Sequence, residues 1–322
     1  MARVLPAAVS ARRLVQLAAA SLAALFVVVT SGAFVRLTAS GLGCDNWPRC
    51  GDKPYPEQGF HAFVEFGNRL VALVGIVLTL VVWLAARRVP GLPGWVRLTA
   101  LAAALGTLAQ IPLGGITVIL ELHPVAVMSH FLLALVVVAL AVVVALEAWR
   151  HARGGGGPVG PRWWRLAATV GVPACLALVV TGAVATASGP HSGGEDIRRL
   201  GIPVADAVYV HVRATAVYGI GLLLVGAWLV RHRGRVPGVA RLGAALLAVL
   251  LVQMAVGEIQ YRNALPWGLV LVHVLLGATI WTLTVTIAHA LWRPPLPLLS
   301  RAPAAAAGAD GRREAAATPL TR

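Results

Sequence analysis

Two histidines in this chain occupy matched positions, and imidazole is a residue type that binds metals. Gln110 precedes His130 by 20 residues and Gln253 precedes His273 by the same 20, with Gly114 and Gly257 each four residues after the Gln. Both histidines lie towards the outer ends of long apolar stretches, as does His211, and His61 borders the outer end of another. Ionisable side chains at membrane depth are costly and mark functional sites. Two imidazoles facing one another in an apolar helical bundle suit axial ligation of haem iron, since the bundle holds the flat macrocycle and keeps water out. His211 with His273 makes one such pair. His130 matches His273, but its own partner is less regular.

Further blocks match in the same order. SGAFVRLTASG (Ser31 to Gly41) echoes TGAVATASG (Thr181 to Gly189) with two residues missing, and Arg69 and Arg213 each run five residues to a Gly-Ile pair. Anchoring on those arginines puts Gly67 opposite His211, with Asn68 beside it. His61, Glu65 and Asn68 fall at i, i+4 and i+7, one face of a helix. Tyr209 stands opposite Glu65, so the first pocket holds a carboxylate that the second lacks. That carboxylate can transfer protons, stabilise a cation or pair with Arg69. Arg69 and Arg213 can alternatively hold haem propionates, since a guanidinium fork matches a carboxylate.

The elements that position these residues are membrane helices. The 322 residues are 58% hydrophobic and 12% charged, with mean hydropathy +0.81. Apolar runs long enough to cross a bilayer recur eight times, near 14–36, 62–86, 98–119, 125–148, 165–187, 208–230, 241–259 and 268–291. The matched blocks read as an internal duplication. The fold expected is an all-α integral membrane protein of eight transmembrane helices in two tandem four-helix bundles related by a pseudo-two-fold repeat. The expected units are 1–153, a cytoplasmic linker at 154–164 whose glycine-rich stretch Gly154 to Pro161 reads as flexible, 165–293, and a disordered cytoplasmic tail at 294–322.

The net charge of +15 does not point to nucleic acid. Arg12 and Arg13, Arg87 and Arg88, Arg150 to Arg165, Arg231 to Arg241, and Arg293 onward fall on alternate connections. That is the positive-inside pattern, and it predicts that both termini are cytoplasmic. The opposite loops carry Asp45, Asp52, Glu57, Glu121, Glu195, Asp196 and Asp206. His151, His232 and His289 fall towards the basic side as solvated or interfacial residues. In the first outer loop Cys44 and Cys50 stand six positions apart. The oxidising side permits a disulfide there, as a structural staple or a redox-active pair; a metal site has less support. Cys175, mid-helix, reads as a packing residue.

With these residues in view, the chain resembles the haem A synthase family, membrane enzymes that oxidise a methyl group of haem O. The resemblance rests on GLGCDNWPRC, EFGNR, TGAVATASGPHSGG and GEIQYRNALPWGLVLVH, and spans all eight helices to about Trp292. It implies a resident haem b on His211 and His273, and haem O as substrate in the first half. His130 would be a ligand there, with Glu65 near the reacting methyl. It also implies a Cys44–Cys50 loop disulfide, a bacterial cytoplasmic membrane setting, a membrane electron acceptor and a farnesyl-transferring enzyme upstream. Homo-oligomers are compatible with it. Two departures stand out: Asn68 replaces the family's usual histidine before Arg69, and His211 is separated from Arg213 by Val212. Either Asn68 leaves the iron one protein ligand or His61, two turns away, takes part. The rival readings are a non-catalytic b-type cytochrome, which predicts symmetric sites, and a haem carrier, which predicts haem returned unmodified.

Overall fold

The computed structural model describes residues 8–44, 46–191, 193–194 and 196–299. Asp45, Glu195 and the tail beyond residue 299 lie outside the described residues. Among those described, eight helices are long and apolar enough to cross a membrane: α1 (Ala11–Leu37), α2 (Phe60–Arg88), α3 (Gly94–Ile119), α4 (Pro124–Arg153), α5 (Arg162–Ser188), α6 (Val204–Arg231), α7 (Pro237–Arg262) and α8 (Trp267–Trp292). Each contains one apolar run read from the sequence and extends it by a few residues. The protein is a multi-pass membrane protein.

α1 packs on α2 and α4, and α3 on α2 and α4; α5 packs on α6 and α8, and α7 on α6 and α8. The two groups meet where α8 lies against α1 and α4. The core runs through this junction, with Leu135, Val138, Cys175, Tyr218, Ile280 and Trp281 all buried. The Trp281 indole donates to the Leu135 carbonyl at 2.8 Å, joining α8 to α4. Large apolar side chains such as Leu70, Leu98, Val217 and Leu224 face outward, as helices solvated by lipid require.

Two helical hairpins close in the same way, and this sets the depth of the histidines. After α3, Glu121 and Leu122 adopt positive φ, and the Leu122 amide donates to Thr117 at 2.8 Å. After α7, Ala264 and Leu265 do likewise, with Leu265 donating to Gln260 at 2.8 Å. Left-handed backbone is uncommon for residues with a Cβ; here each turn satisfies a helix-end carbonyl. A proline follows each turn, Pro124 opening α4 and Pro266 preceding α8. His130 and His273 consequently each stand six residues beyond the first residue of their helix.

Three local readings change. The glycine-rich linker is docked: Gly156 donates to Pro294 and Val159 to Leu291, and Val159 is buried. The chain also stays ordered past Pro294, through a short 3-10 helix at Leu296–Leu298 whose Leu298 is buried. His289 is not merely interfacial, since its Nε2 meets buried Glu147 at 2.8 Å. Arg293 reaches the same carboxylate with two nitrogens, at 2.7 and 2.9 Å. This ion cluster ties α4 to α8 at the arginine-rich end.

Candidate functional site

In the second helix group the His211 and His273 rings face each other, with centroids 6.3 Å apart and planes at 63°. The Thr181 hydroxyl donates to the Leu178 carbonyl at 2.8 Å and lies 3.2 Å from His211 Nδ1. With its proton committed to Leu178, the hydroxyl oxygen accepts from Nδ1–H. That sets the tautomer and leaves the Nε2 lone pair for a metal. His273 is held through its backbone, whose carbonyl accepts from Gln253 Nε2 at 3.0 Å. Its Nδ1 is buried and has no hydrogen-bond partner among the described residues.

The first group repeats this framework. Gln110 Nε2 donates to the His130 carbonyl at 3.2 Å, and His130 Nδ1 is likewise buried and unpartnered among the described residues. Glycines make room for the rings. A Cβ on Gly114 would come within 3.3 Å of the His130 ring, on Gly257 within 3.1 Å of His273, and on Gly182 within 2.9 Å of His211. The fourth member of the set is Asn68. Ser31 precedes Gly32 as Thr181 precedes Gly182; the Ser31 hydroxyl donates to Asn68 Oδ1 at 2.7 Å, and a Cβ on Gly32 would lie 3.9 Å from the same atom. Asn68, not Gly67, is therefore the counterpart of His211. The arginine-anchored alignment is off by one because Arg69 directly follows Asn68, whereas Val212 intervenes before Arg213.

His61 is not at the depth of the others. It is the second residue of α2, exposed, with Nδ1 2.9 Å from the hydroxyl of buried Ser40. It lies at the start of α2, two turns from Asn68.

Glu65, buried on α2, is fully engaged. One oxygen accepts the Cys44 amide at 2.9 Å, and the other pairs with Arg69 at 2.5 Å. Arg69 also donates to the carbonyls of Pro48 and Arg49, at 3.1 and 3.0 Å. Cys44 and Cys50 form a disulfide, and Glu65 with Arg69 clamps this loop onto α2. Trp47, from the same loop, lies on α3, where a Cβ at Gly115 would meet its indole at 2.9 Å. The second group has neither feature. Arg213 stacks on the Tyr209 ring, and Glu258, the counterpart of Gly115, pairs with Arg262 on the exposed surface. Ser31, Thr181 and Trp47 lie inside the motifs, but residue type alone gives them no role; the matched SGA and TGA blocks are the sequence signal for the first two.

The donor set is one facing imidazole pair in the second group, and one imidazole with an amide at the equivalent place in the first. Among the described residues, no three His, Cys, Asp or Glu side chains converge as a metal cluster. A haem fits such a set, since the porphyrin supplies its own in-plane nitrogens and needs only axial ligands from the protein.

Over residues 15–190 the chain matches the COX15-CtaA family, cytochrome oxidase assembly protein. A Symbiobacterium thermophilum protein named heme A synthase is 33% identical over 261 residues, covering 74% of this chain and 83% of that one. A Geobacillus kaustophilus protein of the same name is 33% identical over 115 residues, 33% of each chain. A Thermus thermophilus protein named protoheme IX farnesyltransferase is 29% identical over 291 residues, so that 81% of this chain spans 46% of that relative. With the family match covering more than half of the chain and the Symbiobacterium alignment most of it, this protein belongs to the COX15-CtaA family of cytochrome oxidase assembly proteins.

Proposed function

We propose that the chain is a haem A synthase, which converts a methyl group of haem O to a formyl group through successive hydroxylations. The observation that carries this reading is the asymmetry between matched groups: buried Glu65, held by the Cys44 amide and Arg69, has no carboxylate counterpart in the second group, where His211 faces His273 and Asn68 takes the matched sequence position in the first. A pair of imidazoles suits a permanently bound haem b. A single imidazole suits a haem that must enter and leave, so haem O is assigned to the first group.

When bound, the resident haem supplies a route for electrons out of the first pocket to a membrane acceptor. The chain's own residues position and polarise. His130 holds the substrate iron, and Gln110 fixes the α4 backbone at that histidine. Asn68 is a poor substitute for an imidazole, because a neutral amide oxygen is a much weaker donor to haem iron than an imidazole nitrogen and one of its two lone pairs faces the Ser31 hydroxyl. Glu65 is a fixed carboxylate one helical turn from Asn68, and in a dry site it favours developing positive charge on the substrate carbon. Arg69, engaged with Glu65 and two loop carbonyls, holds the loop, and His61 stands at the entrance. Overall, each hydroxylation takes its oxygen from a water and releases two electrons and two protons, and the diol returns one water, so that CH3 and one net H2O give CHO with four electrons, passed to the membrane acceptor, and four protons. The first hydroxylation gives an alcohol and the second a geminal diol, which loses water to the aldehyde. Haem O comes from a farnesyl-transferring enzyme. The Thermus relative, named for that activity while matching most of this chain, supports the link.

The test is the extracted haem profile of membranes that make haem O, with and without this chain, by chromatography and mass. Haem A or its alcohol precursor appearing only with the chain supports the reading. Unchanged haem O beside bound haem b, with an electron acceptor supplied, overturns it in favour of a b-type cytochrome or haem carrier. The His273→Ala variant is expected to lose the bound haem b and with it the conversion.

A further inference from the structure

A cation with no counter-ion among the described residues stands where the two helix groups meet. Arg36 lies in the last turn of α1, and its Nη2 donates to the Thr186 carbonyl, near the end of α5, at 3.0 Å. Its Nε is buried with no hydrogen-bond partner among the described residues, and no carboxylate among them pairs with it. A guanidinium carries five N–H donors and no acceptor. A buried donor left unmet is destabilising, and an arginine at membrane depth ordinarily finds an anionic or carbonyl partner for each face. One carbonyl is not enough.

Arg36 opens onto a cavity of about 320 Å³ that is also lined by Ala39, Pro190, His191, Gly193 and Arg199. None of the described lining residues is acidic. His191 donates from Nε2 to the Leu265 carbonyl at 2.6 Å, which fixes its ring at the rim. The Gly41 amide donates to the Gly193 carbonyl at 3.3 Å, and Leu122 packs between these two glycines. The cavity is therefore walled by loops from both groups. Arg36 has no basic counterpart in the second group: TGAVATASG lacks two residues exactly in this part of the block, and only Val184 and Ala185 stand between its TGA and TASG ends.

The place relates to the pockets. Ser31 and Thr181, whose hydroxyls touch Asn68 and His211, each precede Arg36 and Thr186 by five residues, a rise of about 7.5 Å along a helix. Arg69, the other cation of the first pocket, is already committed to Glu65 and the loop. We propose that Arg36, with Arg199 at the rim, forms an oxyanion subsite at the junction of the two groups, taking a carboxylate or phosphate. Resting on the function proposed above, the carboxylate is a propionate of the haem held from His130. The other source of the same chemistry is the phosphate of a phospholipid headgroup.

The experiment uses the purified full-length chain in detergent, wild type against Arg36→Gln. Protohaem and its dimethyl ester, which lacks propionate charge, are titrated in by absorbance, and co-purifying phospholipid is measured by mass spectrometry. For a propionate, Arg36→Gln weakens protohaem about tenfold, the factor set by 1.4 kcal/mol, and leaves the ester unchanged. For a lipid phosphate, both haem forms are unaffected and co-purifying anionic phospholipid is lost. An unchanged protohaem-to-ester ratio together with unchanged lipid overturns the subsite. The lipid measurement reads Arg36 even if no haem binds, so failure of the haem reading stays distinguishable. Should Arg36→Gln not fold, Arg199→Gln at the exposed rim is expected to shift the same ratio by about threefold, and no shift in either readout overturns the proposal.

Discussion

The two histidine pockets are built on one scaffold and differ at their contents and their covers. Each has a glutamine holding the backbone of a histidine six residues into its helix, a glycine beneath each of two ring or amide groups, and a hydroxyl on the fourth group. What differs is His211 against Asn68, and an open rim of Tyr209, Arg213 and Glu258 against a disulfide loop pinned by Glu65, Arg69 and Trp47. Features that set backbone geometry recur in both, as do His130 and His273; the group matched to His211 and the covering loop do not. On the proposed function, the shared parts would hold a macrocycle and the unshared parts would decide whether it stays.

The largest effect should come from breaking the cover. Glu65→Gln keeps an oxygen for the Cys44 amide but removes the charge that faces Arg69, a loss of roughly 2 kcal/mol for a mostly buried pair. The loop should loosen, so Cys44 and Cys50 become reducible several-fold faster in thiol-labelling assays. Conversion of haem O should fall by about a hundredfold, as expected when about 2.7 kcal/mol of transition-state stabilisation is lost. Full conversion in this variant would remove Glu65 from the chemistry and leave it only a tether. The second group has no carboxylate to substitute, since with Asn68 matched to His211 the place of Glu65 is taken by Val208.

Much of this comparison is legible without coordinates, for identifiable reasons. The Gln-to-His offset survives in the sequence because a hairpin of two helices with a fixed turn has a fixed length. The eight spans are legible because lipid demands apolar faces whatever the packing. The Asn68–His211 equivalence is not legible from the arginine anchors, because Arg69 serves a loop that the second group lacks. His61 shares a helix face with Glu65 and Asn68, yet facing alone does not give depth; it stands at the start of α2 against Ser40, two turns from Asn68. The docking of the glycine-rich stretch on Pro294 and Leu291 joins segments distant in sequence, and no periodicity records such a contact.

A smaller effect should follow from making the contents alike. In Asn68→His, Ser31 is placed to accept from the new imidazole as Thr181 accepts from His211. Haem affinity of the first group should rise about tenfold, or 1.4 kcal/mol, and a second six-coordinate low-spin spectrum should appear beside the first. Turnover should fall as release slows. An unchanged spectrum would mean that α2 does not face the His130 haem at this depth, and the asymmetry would lose its functional meaning.

The smallest effects rank the seats themselves. The distance from an added Cβ to the group it would meet is 2.9 Å at Gly182, 3.1 Å at Gly257, 3.3 Å at Gly114 and 3.9 Å at Gly32. Under about 3.4 Å the ring must shift, and in a packed interior such overpacking costs on the order of 1 kcal/mol. Alanine also favours the helix at each site, by up to about 1 kcal/mol, so the net penalty should be modest and ordered. Haem retained by purified variants should drop most in Gly182→Ala, less in Gly257→Ala, least in Gly114→Ala, and not at all in Gly32→Ala. The last is the informative member, since its neighbour is an amide that already has room for a methyl group. A loss in Gly32→Ala equal to that in Gly182→Ala would mean that these glycines serve the close approach of helices, and the imidazoles would then be seated by Gln110, Gln253 and Thr181 alone.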